Sequence, residues 1–338
     1  SITVSDCTLD PVFNSATTEY SCTVKNSVTS VTVNATATSS KSKVRGLGTK
    51  ELAVGKNTLP IRVIAEDGSE KIYNIKVTRR ISIQNISIFG KKFETIDSEP
   101  TLTTTSMMAG DESGLYVSTA TNTGKPTYYF RGNVTNNYVS FAGTIWRIVR
   151  INEDGTIRII MQAGINNSIG YSLNANKVGQ YFYYSNSNAK SILENWYQAN
   201  IGSKSDLAKN VVNGDYYCEQ AKIDNTANYM PSFECKNDVN NKGLVNSNIG
   251  LITTDEIIYA GGHFKETKNN YYLYNRIYTW TMSPAKNSGN HYLWAIDPSG
   301  VVYIESIGNT LILRPVINLK SDTQASGTGT SSDPFVVE

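Results

Sequence analysis

Apolar and polar residues alternate with a period of two along most of this chain, and the breaks in that pattern mark its elements. The clearest run covers residues 128–161, YYFRGNVTNNYVSFAGTIWRIVRINEDGTIRIIM. It predicts one strand over 138–142, a second over 145–151 and an antiparallel return over 156–161. Asn152-Glu153-Asp154-Gly155 supplies the turn before the return. Asp-Gly between β-branched runs is a strong hairpin signal, and a primed turn needs positive φ at both central positions. In the second strand Ile145, Val149 and Ile151 share a face with Arg147, and Trp146 and Ile148 share the other with Arg150. Both faces are partly apolar, so this hairpin is expected to lie between layers.

Residues 1–80 form a separate unit. Alternation predicts strands over 20–24, 28–37, 58–65 and 71–78. Turn signals separate them at Asp10-Pro11, Gly46-Leu47-Gly48, Gly55-Lys56-Asn57 and Glu66-Asp67-Gly68. Short strands at this spacing suggest an antiparallel sandwich. Residues 81–114 read as a linker, with a border strand over 81–89 and a polar, Thr/Ser-rich extended stretch after it.

The second domain then spans 115–338. An apolar stripe at Ile192, Leu193, Trp196, Tyr197 and Ile201 predicts a helix opening at Asn188 and ending at Gly202. A second helix is predicted over 254–260, with Thr253 and Glu256 as a capping box and Gly261-Gly262 as the stop. Strands are predicted over 271–282, 291–296 and 301–305, with a turn at Asp297-Pro298-Ser299-Gly300. Another covers 311–319, where Pro315 must sit at a bulge or edge. Residues 334–337 add a final strand. The fold class is mainly β with a minor helical part.

Composition agrees. Tyr occurs 21 times and helix formers are scarce, which favours sheet. A net charge of +2 is too weak to make nucleic acid or a membrane surface the main partner. No hydrophobic span of membrane length or signal peptide is present, so Ser1 reads as a processed or trimmed end with any anchor outside the chain. The four cysteines fall into two local pairs, Cys7 with Cys22 and Cys218 with Cys235. No C-x-x-C spacing exists and there are two histidines, which argues against zinc. Each pair could close a short loop, stabilising the fold by about 3 kcal/mol, and would suit an oxidising, extracellular setting. Four independent buried thiols are the alternative.

In the first domain, LDPVFNSATTEYSCTV, VTSVTVNATAT and LAVGKNTLPIRVIAEDGSEKIYNIKVTR resemble the cadherin-like, immunoglobulin-like β-sandwich of bacterial surface proteins. The markers are Pro11, Phe13, Tyr20, Gly55, Asn57, the Glu66-Asp67-Gly68 turn, Tyr73 and Arg79. The resemblance implies a spacer without its own activity. It would also suggest calcium, but no run of alternating acidic residues of the calcium-loop type is present.

The second domain resembles an α+β C-type-lectin-like fold of the formylglycine-generating-enzyme variety. The residues that carry this are Leu251 to Glu256 with Tyr259-Ala260, Trp280 to Ser283, Trp294 with Asp297 to Gly300, and Leu313 to Val316. The stretch 128–160 is also similar to uncharacterised surface proteins of Gram-positive bacteria.

The enzyme that this resemblance implies needs two groove cysteines near the C-terminal strands, but Cys218 and Cys235 lie upstream of the second helix. Related iron enzymes need three histidines, against His263 and His291 here, both expected on surface loops. Ser283, His291 and Asp297 could be drawn as a hydrolase triad, yet no nucleophile elbow surrounds Ser283. The adjacent carboxylates Asp111-Glu112, Glu153-Asp154 and Asp255-Glu256 fit turn or cap roles. Calcium-dependent lectin motifs are absent, Trp294-Ala295-Ile296-Asp297 being the nearest string.

What remains is aromatic and carboxamide density at 181–188 and 269–276. Rings stack on sugars or anchor protein partners, and Asn or Arg adds directional hydrogen bonds. The competing reading buries one ring face of each strand in the core. The expectation is therefore a non-enzymatic, secreted cell-surface binding or adhesion protein without cofactor or metal. A glycan or a cell-surface protein would be its partner. The candidate contacts are Tyr271, Tyr272, Tyr274, Asn275, Arg276, Trp280 and Trp294. The alternative is a structural subunit of a surface layer or fibre, self-associating through edge strands at both chain ends. An oxidase of the formylglycine-enzyme type is the third reading.

Overall fold

The computed structural model describes residues 1–80, 84–96, 100, 102, 113–165, 170–174, 182–219, 230–235, 243–264, 267, 269–285 and 291–338. The carboxylates Asp111-Glu112, Tyr181, and much of the expected linker lie outside these residues. The protein is mostly β with few helices, and it forms two compact units, Ser1–Gln84 and Asn85–Ile96 with Pro100–Glu338.

The first unit contains β1 (Ile2–Val4), β2 (Glu19–Val24), β3 (Ser30–Ala35), β4 (Lys43–Arg45), β5 (Gly48–Glu51), β6 (Gly55–Ile64) and β7 (Glu70–Arg79). Two sheets result, ordered β1-β3-β5 and β2-β7-β6-β4. Alternate residues from both sheets, among them Tyr20, Val31, Val33, Ile61, Ile75 and Val77, are buried in one core. That is the sandwich expected from the period-two pattern, with one difference. β2 runs parallel to β7, because residues 25–69 cross to the other sheet and back before β7 is reached. Cys7 and Cys22 are disulfide-bonded, with Cα atoms 5.7 Å apart.

The second unit opens with β8 (Asn85–Ile88) and β9 (Lys91–Glu94), a hairpin inside the stretch expected to be linker. Ile88 and Phe89 are buried in the second unit's core, which is why the segment folds with that unit. Then come β10 (Gly114–Ser118), β11 (Thr127–Arg131), β12 (Tyr138–Phe141), β13 (Thr144–Ile151) and β14 (Ile157–Met161). Helices α1 (Asn188–Tyr197) and α2 (Ser205–Ala208) follow, with a π-helical turn, Gln198–Gly202, between them. Next are β15 (Asp215–Cys218), β16 (Leu244–Ser247) and α3 (Thr254–Ala260). The chain closes with β17 (Thr279–Pro284), β18 (Tyr292–Ile296), β19 (Val302–Ser306), β20 (Val316–Leu319), β21 (Ala325–Ser326) and β22 (Phe335–Val337).

β13 is the hub of an eight-stranded sheet. It pairs with β12 along its first half, with β11 at Arg150 and Ile151, and with β14 on its other edge. Trp146, Arg147, Ile148 and Val149 are all buried, as expected of a strand between layers. Ile145 is exposed instead of buried, because it lies one residue past the turn at the sheet's rim. The primed turn falls elsewhere than expected. Ala142 and Gly143 have φ of 52° and 74° and join β12 to β13. In the Asp154-Gly155 turn only Gly155 is left-handed, with φ 85°. The Gly155 N–H donates to Asn152 O at 2.9 Å and the Asn152 N–H to Thr156 O at 2.8 Å, a three-residue loop with a bulge.

α1 buries Ala189, Leu193 and Tyr197, with Ile201 continuing the spacing through the π-helical turn. α3 has the expected capping box at Thr253 and Glu256, and Gly261 closes it. The expected strand over 271–282 is corrected: only Thr279–Pro284 is strand, and residues 271–278 form turns. Tyr271, Tyr272 and Leu273 therefore all enter the core in succession, whereas a strand would have alternated them.

β22 pairs with β12 on one side and β21 on the other, so it is an interior strand and not a free edge. The edge near the C-terminal end of the chain is instead the two-residue strand β21. β1 remains an edge strand of three residues.

With Cys218 and Cys235 also bonded, at a Cα separation of 5.5 Å, no cysteine is free. Thiol titration of the denatured, non-reduced protein is expected to find none. The same titration after reduction is expected to find four.

Candidate functional site

Three buried arginines of the second unit donate to backbone carbonyls or to a carboxamide. Arg131 Nη1 donates to Ile258 O and Tyr259 O, both at 2.8 Å, and so satisfies the last turn of α3. Arg147 donates to Asn137 Oδ1 and Val134 O, each at 2.7 Å. Its guanidinium also lies 3.7 Å from the Tyr138 ring centre. Arg314 Nε donates to Met161 O and Nη1 to Leu273 O, both at 2.9 Å. Burial lowers the Arg314 pKa to about 10. These arginines brace the frame; they do not face a ligand.

Arg150 and Arg158 differ. They are cross-strand partners on β13 and β14, where a register shift after Ile148 places them opposite each other. Both converge on Glu256 of α3. Arg158 Nε lies 2.6 Å and Arg150 Nε 3.2 Å from its Oε1. Glu256 is 3% exposed, and its Oε2 also accepts the Thr253 N–H at 3.0 Å. Burial raises its pKa, but the Arg158 and Arg150 charges outweigh that and hold the carboxyl below its usual range. Arg158 stacks over Tyr217 and Arg150 over Phe233, each at 4.8 Å.

This triad is the floor of a cleft of about 330 Å³. One wall is the β15–β16 ribbon with the Cys218–Cys235 disulfide. The register pairs Tyr216 with Asn246 and Cys218 with Leu244, so Tyr216, Cys218 and Leu244 share the cleft side while Tyr217 and Val245 are buried. Tyr216 is 63% exposed. The β13–β14 turn, Thr123 and Lys125 supply a second, polar wall.

A polar chain joins the two walls. Asp154 Oδ1 accepts the Thr156 hydroxyl at 2.6 Å, and Asn152 Nδ2 donates to Thr156 Oγ1 at 2.9 Å and to Asn318 Oδ1 at 3.3 Å. Asn318 Nδ2 in turn donates to Asp215 Oδ2 at 2.5 Å. The polar groups of both walls are thus fixed before any ligand arrives.

The residues expected to contact ligand lie elsewhere. Tyr271, Tyr272, Trp280 and Trp294 are buried core side chains and cannot meet a ligand from solution. Trp280 Nε1 donates to Tyr171 O at 2.8 Å, and Trp294 packs on Phe264 at 4.9 Å. Tyr274 is partly buried against the core, Asn275 donates to Gln162 O, and Arg276 is exposed. Phe182 and Tyr184, from the other aromatic stretch, are fully buried.

His263 is corrected from surface loop to 3% exposed, with its carbonyl accepting the Val302 N–H at 2.9 Å; His291 is exposed. Ser283 is buried, and its Oγ accepts the Thr254 N–H at 2.9 Å. Among the described residues no group of three metal-ligating side chains occurs, and no helix is long and apolar enough to cross a membrane.

A family model described as a cadherin-like beta sandwich domain matches residues 1–80. No curated protein and no solved structure matches the chain. The first unit is thus of the cadherin-like class, which fits a surface adhesion-type role in general. Together with the two disulfides it fits an extracellular protein. The resemblance of the second unit to C-type-lectin-like domains has no support from these matches.

Glu256→Gln is expected to destabilise the protein by about 3–5 kcal/mol in denaturant unfolding, because two guanidiniums lose their counter-charge. The folded-state pKa is depressed, so the carboxylate's contribution is present above the unfolded carboxylate pKa and is lost as pH falls through the folded value. The wild-type protein should therefore lose more stability on acidification than the variant. Equal acid sensitivity would show that the triad is not the relevant titrating group.

Proposed function

We propose that the chain is a non-enzymatic extracellular binding protein, with the cadherin-like unit as a spacer and the second unit as the binding head. The carrying observation is the cleft. It combines an exposed tyrosine ring with carboxylates, carboxamides and arginines that are already held in place. Such a site suits recognition, since little side-chain freedom remains to be lost on binding. Its ionisable groups are engaged in fixed contacts: Glu256 with two arginines, Asp154 with Thr156, and Asp215 with Asn318.

The structural-subunit reading rests on the short edge strands near the two chain ends, β1 and the two-residue β21. The partner class on this account is a glycan or a cell-surface protein.

The labelled full chain should bind at least one member of a panel of immobilised surface polysaccharides and extracellular-matrix proteins. A Tyr216→Ala, Leu244→Ser double variant with an unchanged Tm should lose that binding. Sedimentation should give a monomer independent of concentration. Concentration-dependent oligomers together with no retained panel member would favour the structural subunit instead.

A further inference from the structure

The ligand's chemistry can be taken a step further from the same cleft, and this step rests on the binding reading above. We infer that the cleft takes a neutral sugar, seated with one ring face on Tyr216 and its hydroxyls on the second, polar wall, and that it rejects acidic glycans.

Three observations carry this. The first is the platform. Strand register forces Tyr216, Cys218 and Leu244 onto one face of a two-stranded ribbon whose other face is buried. A tyrosine ring left 63% exposed beside a disulfide and a leucine makes a small apolar shelf on one wall of the cleft. Pyranose rings have just such an apolar face, made of axial C–H groups. An ion or an extended charged chain has no use for it.

The second is charge. The lining carries six carboxylates and three cations, and Arg150 and Arg158 are already paired with Glu256. The excess of carboxylate repels uronates, sialic acids and phosphates in a site where desolvation strengthens the repulsion. Arg150 and Lys125 in the same cleft count against a lysine side chain as the preferred occupant. A neutral polyol meets neither penalty, and its hydroxyls both donate to carboxylates and accept from guanidinium and amide groups.

The third is size and rigidity. About 330 Å³ lies at the lower end of the roughly 300–1,000 Å³ typical of small-molecule sites, which suits one or two sugar rings. The Asp154–Thr156–Asn152–Asn318–Asp215 chain fixes acceptors on both sides of that space.

The test is calorimetric titration of the full chain with two sets of oligosaccharides and a peptide. Chitotriose, cellotriose, maltotriose and galactobiose are the neutral probes, sialyllactose and digalacturonate the acidic ones, and trilysine the cationic control. At least one neutral probe should bind, and neither acidic probe should. Tyr216→Ala should weaken binding by about tenfold or more, whereas Tyr216→Phe should retain it, because the ring face and not the hydroxyl is used. Tyr216 is exposed, so an unchanged Tm in both variants confirms that folding is intact.

Binding of only the acidic probes or only trilysine, still sensitive to Tyr216→Ala, would overturn the neutral-sugar assignment and leave the binding cleft standing. Binding of a neutral probe unaffected by Tyr216→Ala would overturn the platform. Failure of every probe, with panel ligands from the surface screen also indifferent to Tyr216→Ala, would overturn both the sugar assignment and the cleft.

Discussion

Glu256 is shared by three demands that would otherwise conflict. Its carboxylate completes the capping box of α3 through the Thr253 N–H, and it pairs with guanidiniums from two neighbouring strands. A bare carboxylate at this depth would carry a large desolvation cost, and so would Arg158 at its side. Together they tolerate burial because every charge has a counter-charge within hydrogen-bond reach. The register shift between β13 and β14 is what makes the meeting possible, since it sets Arg150 across from Arg158. The start of α3, the end of β13 and the start of β14 are thereby tied at one point.

The cleft is a consequence of that knot. With the arginines drawn down onto Glu256, their aromatic partners Phe233 and Tyr217 are fixed over them, and the β15–β16 ribbon is carried to the rim. Three other buried arginines of the unit contact carbonyl oxygens. Arg131, Arg147 and Arg314 are held by carbonyls and a carboxamide. They hold backbone turns in place, including the Tyr272–Leu273 turn that interrupts the expected strand.

Much of this frame is legible from the chain itself. Alternation locates the sandwich strands, and Thr253 with Glu256 marks the helix start because a capping box is a local device. Non-local effects hide the rest. YYLYNRIY alternates as a strand would, yet its turn is set by Arg314, 41 residues on, and by Arg147, 125 residues back. The Ala142-Gly143 turn is hidden because alanine seldom adopts positive φ, while Asp154-Gly155 carries the stronger signal and makes the less demanding turn. Tyr216 does not stand out among 21 tyrosines. Its place at a cleft emerges only when Cys218 is bonded to Cys235 and the Leu244–Ser247 strand is set beside it. The buried rings Tyr272 and Trp280 were the louder signal and serve the core.

The most direct measurement is hydrogen–deuterium exchange of the full chain, with and without a saturating neutral oligosaccharide. The account predicts protection in peptides covering residues 122–125, 152–154, 215–218 and 232–235, the walls of the cleft. Protection confined to residues 271–276, with the cleft peptides unchanged, would contradict it and return the site to the tyrosine-rich turn.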